Sequence, residues 1–135
     1  MSDAQGGKEE FGCSRCWPTS PSAAWRARRR LTREAELIDE SHYHVMILGC
    51  DRCGQRFVSV FTELIDWIDG EDPQYWTLLP ITEGEAGELL QTGDRTTEAQ
   101  LNALGPDRRC LMHDYPKEGP KRTKWGSGIW VGPHD

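Results

Sequence analysis

The apolar positions of this chain fall into short stretches rather than long runs, and their period changes along the sequence. HYHVMILG (42–49) is rich in β-forming residues and stops at glycine, and RFVSVFTELIDWI (56–68) and YWTLLPIT (75–82) repeat that character. Between the last two lies IDGEDPQ, whose Asp-Gly and Asp-Pro steps are strong turn chemistry. The three segments predict an antiparallel meander with CDRC, residues 50–53, at the tip of its first hairpin. Pro80 has no backbone N–H to give a ladder, so the third strand is expected at a sheet edge.

Elsewhere the pattern favours helices and loops. SPSAAWRARRRLTREAEL (20–37) reads as a helix: Ser20 can cap it, Pro21 suits its first position, and alanine, arginine and glutamate favour its interior. Arg30 and Glu34 would then lie one turn apart as surface partners. Thr82 with Glu85, and Thr97 with Gln100, have capping-box spacing ahead of short helices near GEAGELL and in TTEAQLNALGP, the latter stopped by Gly105 and Pro106. RRCLMHDY predicts one more strand, and residues 116–135 read as mostly loop, with strand character at GIWV. Residues 1–10 are expected to be a loose tail, and FGCSRCWPTSP a loop.

A length of 135 residues suits one domain, but only 36% are apolar and 28% are charged. Six tryptophans carry much of the buriable area, so a cross-link has unusual value here. No segment approaches the roughly 20 apolar residues of a membrane span. The start, MSDAQGGKEEFG, has no apolar signal region, so a cytoplasmic location is expected. Reducing conditions there disfavour structural disulfides, and five cysteines cannot all pair. The net charge of −6 argues against broad affinity for nucleic acid. Charge is uneven, however: Arg15 to Arg33 holds six arginines and no acid, whereas Glu63 to Glu98 holds ten acids and one base.

The cysteines carry the clearest chemistry. Cys13 and Cys16 form one CxxC and Cys50 and Cys53 another, 33 residues apart, and four thiolates around a tetrahedral zinc are a closed structural arrangement. Gly54, just after the second pair, lets the chain turn back, so GCDRCG reads as a metal-binding knuckle between two strands. Iron fits the same ligands. A redox dithiol would open a helix in a βαβ unit, which neither pair does. Cys110 and His113 also have ligand-like spacing, but one pair closes no site, and a buried cysteine with a surface histidine is the expectation. His42 and His44 are expected to be solvated or packed rather than a second metal site.

CSRC and CDRCG leading into a three-strand meander resemble the zinc-ribbon fold group over residues 13 to about 82. The resemblance implies that Cys13, Cys16, Cys50 and Cys53 bind one zinc, in an α+β fold whose three-stranded antiparallel sheet carries short helices. One domain over 11–135 would hold this core, with helix, strand and loop additions at 83–135. Two departures stand out: the first knuckle continues Cys16-Trp17-Pro18 without a glycine, and the spacer exceeds the usual 15 to 20 residues.

No glycine-rich phosphate loop, GxSxG elbow or HExxH helix occurs, and the crowded acids Asp66, Asp69, Glu71 and Asp72 sit in a turn, so no enzymatic activity is expected. Two surfaces could bind partners. Trp67, Asp69, Asp72, Tyr75 and Trp76 suit a docking face for a protein with a basic surface. Arg26, Arg28, Arg29, Arg30 and Arg33, beside Trp25, could contact phosphates and stack on a base. The expectation is a non-catalytic accessory or adaptor protein with a structural zinc. A nucleic-acid-binding ribbon and a rubredoxin-like iron electron carrier are the alternatives.

Overall fold

The computed structural model describes residues 11–134; the tail expected at residues 1–10 lies outside the described residues. One antiparallel sheet takes its strands in sequence order: β1 (Thr32–Glu40), β2 (Tyr43–Gly49), β3 (Arg56–Glu63), β4 (Gln74–Ile81), β5 (Arg109–Tyr115) and β6 (Arg122–Ser127). Three short helices accompany it, α1 (Pro21–Ala27), α2 (Glu83–Thr92) and α3 (Glu98–Asn102). None of these helices is long and apolar enough to cross a membrane. The expected meander is β2–β3–β4, but it is the centre of a six-stranded sheet, not a three-stranded one.

The predicted long helix is the main correction. It begins as expected, with the Ser20 hydroxyl accepting the Ala23 N–H at 3.3 Å and Pro21 opening the first turn. It ends at Ala27, a 3-10 turn covers Arg28–Arg30, and TREAELIDE becomes strand β1. Pairing along β2 across the two-residue turn Ser41–His42 overrides the helix propensity of alanine and glutamate. Register shifts at Arg33/Ala35 and Glu36/Ile38 bend this edge strand, and consecutive Leu37 and Ile38 are both buried there. Glu34 therefore meets Arg56 of β3, at 2.9 Å, rather than Arg30.

Pro80 does not mark an edge, because β4 lies between β3 and β5. The β4–β5 ladder stops at Leu78–Leu111, so the missing N–H of Pro80 costs no ladder bond. The Pro80 carbonyl accepts instead from Arg108 Nη1 at 2.9 Å. GIWV is not a strand either. The last strand is RTKWGS, and Ile129 and Val131 pack as irregular chain against the core.

Alternation along the strands gives the sheet two buried faces. Val45, Ile47, Val58, Val60, Leu79 and Ile81 lie on one, under Ala86 and Leu89 of α2 and Leu101 of α3. Phe57, Leu78 and Leu111 lie on the other, under Ala24 of α1, Trp17 and the cysteine segments. α2 opens with a complete capping box between Thr82 and Glu85. The Glu85 carboxylate also meets Arg108, at 2.7 Å, tying α2 to the start of β5.

Burial opposes ionisation of Glu85, but the Arg108 guanidinium and the Thr82 N–H outweigh it and lower its pKa. A lowered folded pKa contributes stability above the unfolded carboxyl value, and that stability is lost as pH falls through the folded value. Glu85→Gln should lower stability at pH 7 by about 1.5–3 kcal/mol, the worth of hydrogen bonds to a charged group. The deficit should shrink below about pH 4, read by urea unfolding at both pH values.

Candidate metal centre

The two CxxC segments come from different parts of the fold. Cys50–Gln55 turns β2 into β3, with the Gly54 N–H donating to the Cys50 carbonyl and the Cys50 N–H to the Gln55 carbonyl, each at 2.9 Å. Gly54 has φ +79°, a conformation that favours glycine, and its missing Cβ would point into open space. The first segment is a similar turn closed by the Trp17 N–H on the Cys13 carbonyl at 2.8 Å.

These turns bring all four expected sulfurs together, within 4.8 Å of one another, the only such ligand group among the described residues. The Cys13–Cys16, Cys13–Cys50 and Cys16–Cys53 separations are 3.8, 3.9 and 3.7 Å. A tetrahedron with 2.3 Å metal–sulfur bonds has an edge of about 3.8 Å. The donor set therefore fits one tetrahedral ion, and the cysteines are not disulfide-linked. Tetrahedral sulfur suits zinc and iron alike.

The site is built in two depths. Cys16 and Cys50 are buried members of the cluster around Phe57, Leu78 and Leu111, Cys13 is half-buried at its margin, and Cys53 is exposed. Burial pushes the Cys16 thiol upward, so its thiolate needs a cation beside it. Cys53 is raised for the same reason, whereas the Cys16 backbone N–H lowers Cys13 to about 7.

Two partners of the site escaped sequence reasoning. Trp17, standing where a knuckle glycine was expected, anchors the segment against Phe57 and Trp125 at ring separations of 5.4 and 4.9 Å. Gln55 accepts the Gly12 N–H through Oε1 at 2.9 Å, while its Nε2 donates to the Arg56 and Ile81 carbonyls at 2.8 Å. Gly12 itself is required: a Cβ there would meet Trp17 Cβ at 2.7 Å, and its φ is +72°. A glycine before the first CxxC, rather than after it, was the available signal.

The other candidate residues are dispersed. Cys110 and His113 point to opposite faces of β5. Cys110 is fully buried and its thiol is pushed up to about 12 by burial. His113 is not at the surface: it stacks on Trp25 at 3.9 Å and bonds Thr123 through Nδ1 at 2.7 Å. Burial and then the Arg28 charge lower its pKa. His42 and His44 pair with Glu63 at 3.0 Å and Asp39 at 3.4 Å.

The five residues expected to form a docking face do not share one. Tyr75 packs on Trp130, whereas Trp76 lies on the opposite sheet face against Phe61, Trp25 and His113. Asp72 folds into its own loop, accepting the Asp66 N–H at 2.8 Å. Trp67 and the adjacent Ile68 project from the loop tip, 86% and 90% exposed, beside Asp69. The tip is held from within. Asp66 accepts from the Ile68 and Asp69 N–H groups at 3.1 Å, and Lys117 joins Asp66 to Asp69. The Asp69 N–H in particular holds the Asp66 carboxyl down at about 2.

Among the five candidate arginines, Arg33 alone has a carboxylate partner in the described residues, Glu36 at 3.5 Å. Arg26, Arg29 and Arg30 are exposed, and Arg28 lies 3.6 Å from the Trp25 ring centroid. His113 stacks on the same ring, so Trp25 is already occupied and offers little platform for a base. No family model, curated protein or solved structure matches the chain.

Reconstitution with Co2+ should give one ion per chain, with the visible bands and intense thiolate charge transfer of a tetrahedral sulfur site. Metal occupancy should fall on acidification, because protons compete for the thiolates. Cys16→Ser and Cys50→Ser, each placing an oxygen in the buried half, should lose the ion at lower chelator concentration than wild type, read by chelator titration.

Proposed function

We propose that this chain is a non-catalytic binding protein whose sheet is clamped by one structural zinc in a zinc-ribbon-like knuckle pair. The observation that carries this reading is the closed set of four sulfurs with two of them sunk in the core, which leaves no coordination position for substrate. When bound, the ion supplies charge neutralisation and a cross-link. The chain's own residues do the rest: Trp17 seats the N-terminal segment on the sheet, and Gln55 fixes it to the β2–β3 hairpin. Because the unfolded chain has no preformed site, metal affinity contributes directly to stability.

The binding function we assign to a protein partner. Trp67 and Ile68 are large apolar side chains held out on a loop braced by Asp66 and Lys117, so docking them orders little additional chain. Exposed Asp69 and Glu71 beside them suit a partner pocket with a basic rim. A nucleic-acid reading has one favourable observation, exposed Arg26, Arg29 and Arg30 without carboxylate partners among the described residues, but the covered Trp25 ring removes its stacking half.

Elemental analysis of protein made in medium containing both iron and zinc should find about one zinc per chain, lost together with near-ultraviolet tryptophan dichroism on chelation. Iron with a visible charge-transfer band would make the protein an electron carrier instead. A photo-crosslinking residue at position 68 should trap a discrete partner in cells, and Asp69→Arg should abolish trapping. Binding of a single-stranded oligonucleotide that is steeply salt-dependent and lost in Arg29→Glu/Arg30→Glu would favour the nucleic-acid reading.

A further inference from the structure

The four cysteines are unequal in exposure, and the inequality has a direction. Cys16 and Cys50 are closed off by Trp17, Phe57, Leu78 and Leu111, whereas Cys53 is exposed and lines an open cavity of 470 Å³. Phe11, Gly54, Gln55, Arg56, Thr82 and Glu83 form much of the rest of that cavity. Its polar lining admits a small polar oxidant, and Gly54 places no side chain in the way. Behind Cys53, 3.7 Å away, lies the sulfur of Cys16.

We propose that Cys53 is an oxidation site through which a hydroperoxide opens the metal clamp, with Cys16 as the resolving thiol. This rests on the four-cysteine metal reading above. In the first step the Cys53 thiolate attacks a peroxide oxygen: an S–O bond forms, the O–O bond breaks, and hydroxide or alkoxide leaves. The sulfur loses two electrons and the peroxide gains them. In the second, the Cys16 thiolate attacks the Cys53 sulfenic acid, forming an S–S bond as hydroxide leaves. With two of its four sulfurs tied up in a disulfide, the site keeps only Cys13 and Cys50 as ligands and releases its divalent ion.

The choice of resolving thiol has a structural result. A disulfide within either CxxC would leave the N-terminal segment untethered from the hairpin. A Cys16–Cys53 bridge instead keeps it attached where the metal held it, and Trp17 and Gln55 still seat it. Oxidation thus exchanges one cross-link for another.

The test begins with the metal content of the purified holoprotein, then treats it with hydrogen peroxide beside a chromogenic chelator, with and without dimedone. The expected result is peroxide-dependent metal release, early dimedone labelling several-fold higher on Cys53 than on any other cysteine, and a Cys16–Cys53 disulfide when dimedone is omitted. Cys53→His, which keeps a four-ligand set, should retain the ion and release it several-fold more slowly. Labelling shared evenly or led by Cys13, a different disulfide, or metal retained under peroxide would overturn the inference while leaving the structural metal intact. A holoprotein purified without metal would overturn both.

Discussion

Among the described residues, 11–19 form no strand with which to join the sheet. Residues 11–19 are held to it by side chains: four sulfurs converging at one point, the Trp17 ring against Phe57 and Trp125, and the Gln55 amide. This attachment also sets the position of α1, whose leading loop gives the Thr19 carbonyl to Trp125 Nε1 at 2.9 Å. The second core is therefore conditional in a way the first is not. One face of the sheet is covered by α2 and α3, which follow directly from the strands. The other is covered only if the cysteine segment stays in place.

That dependence explains the spacing and composition around the site. A glycine after Cys16 would ease the turn, but Trp17 supplies the apolar area that a lean sequence lacks, and its own N–H still closes the turn. Phe57, next to the second knuckle, meets Trp17 from the sheet, so each CxxC is followed by an aromatic anchor. Arg109 completes the arrangement, lying over the Trp125 and Trp17 rings at 4.0 and 5.4 Å.

Legibility in the sequence followed local consistency. β2, β3 and the capping box of α2 could be read because alternation, β-forming residues and cap spacing all agree there. The clustering of Cys13, Cys16, Cys50 and Cys53 was legible for the same reason, since paired CxxC spacing has few other uses. β1 was misread because Ala35, Glu34 and Glu36 favour helix, and the partner strand that overrides them lies after a turn with no glycine or proline. β6 was missed because RTKWGS alternates weakly, and GIWV was apolar because it packs, not because it pairs. The Pro80 rule failed because it concerns a missing ladder bond, and the β5 ladder ends before that position. The aromatic positions near the β3–β4 loop could be seen, but not that Tyr75 and Trp76 leave the surface in opposite directions.

Strand order has a kinetic corollary. Each strand hydrogen-bonds only to its neighbours in sequence, so the sheet can build up hairpin by hairpin, with one long closure where residues 82–108, carrying α2 and α3, separate β4 from β5. The cysteine cluster likewise joins distant positions, 37 residues apart. On a ribosome the first CxxC emerges well before its counterpart, and the site cannot close until the β2–β3 hairpin has followed it out. Until then the nascent chain carries an unpartnered cysteine pair beside Trp17, with no surface to seat it on, because Phe57, Leu78 and Leu111 all follow the second CxxC in the chain.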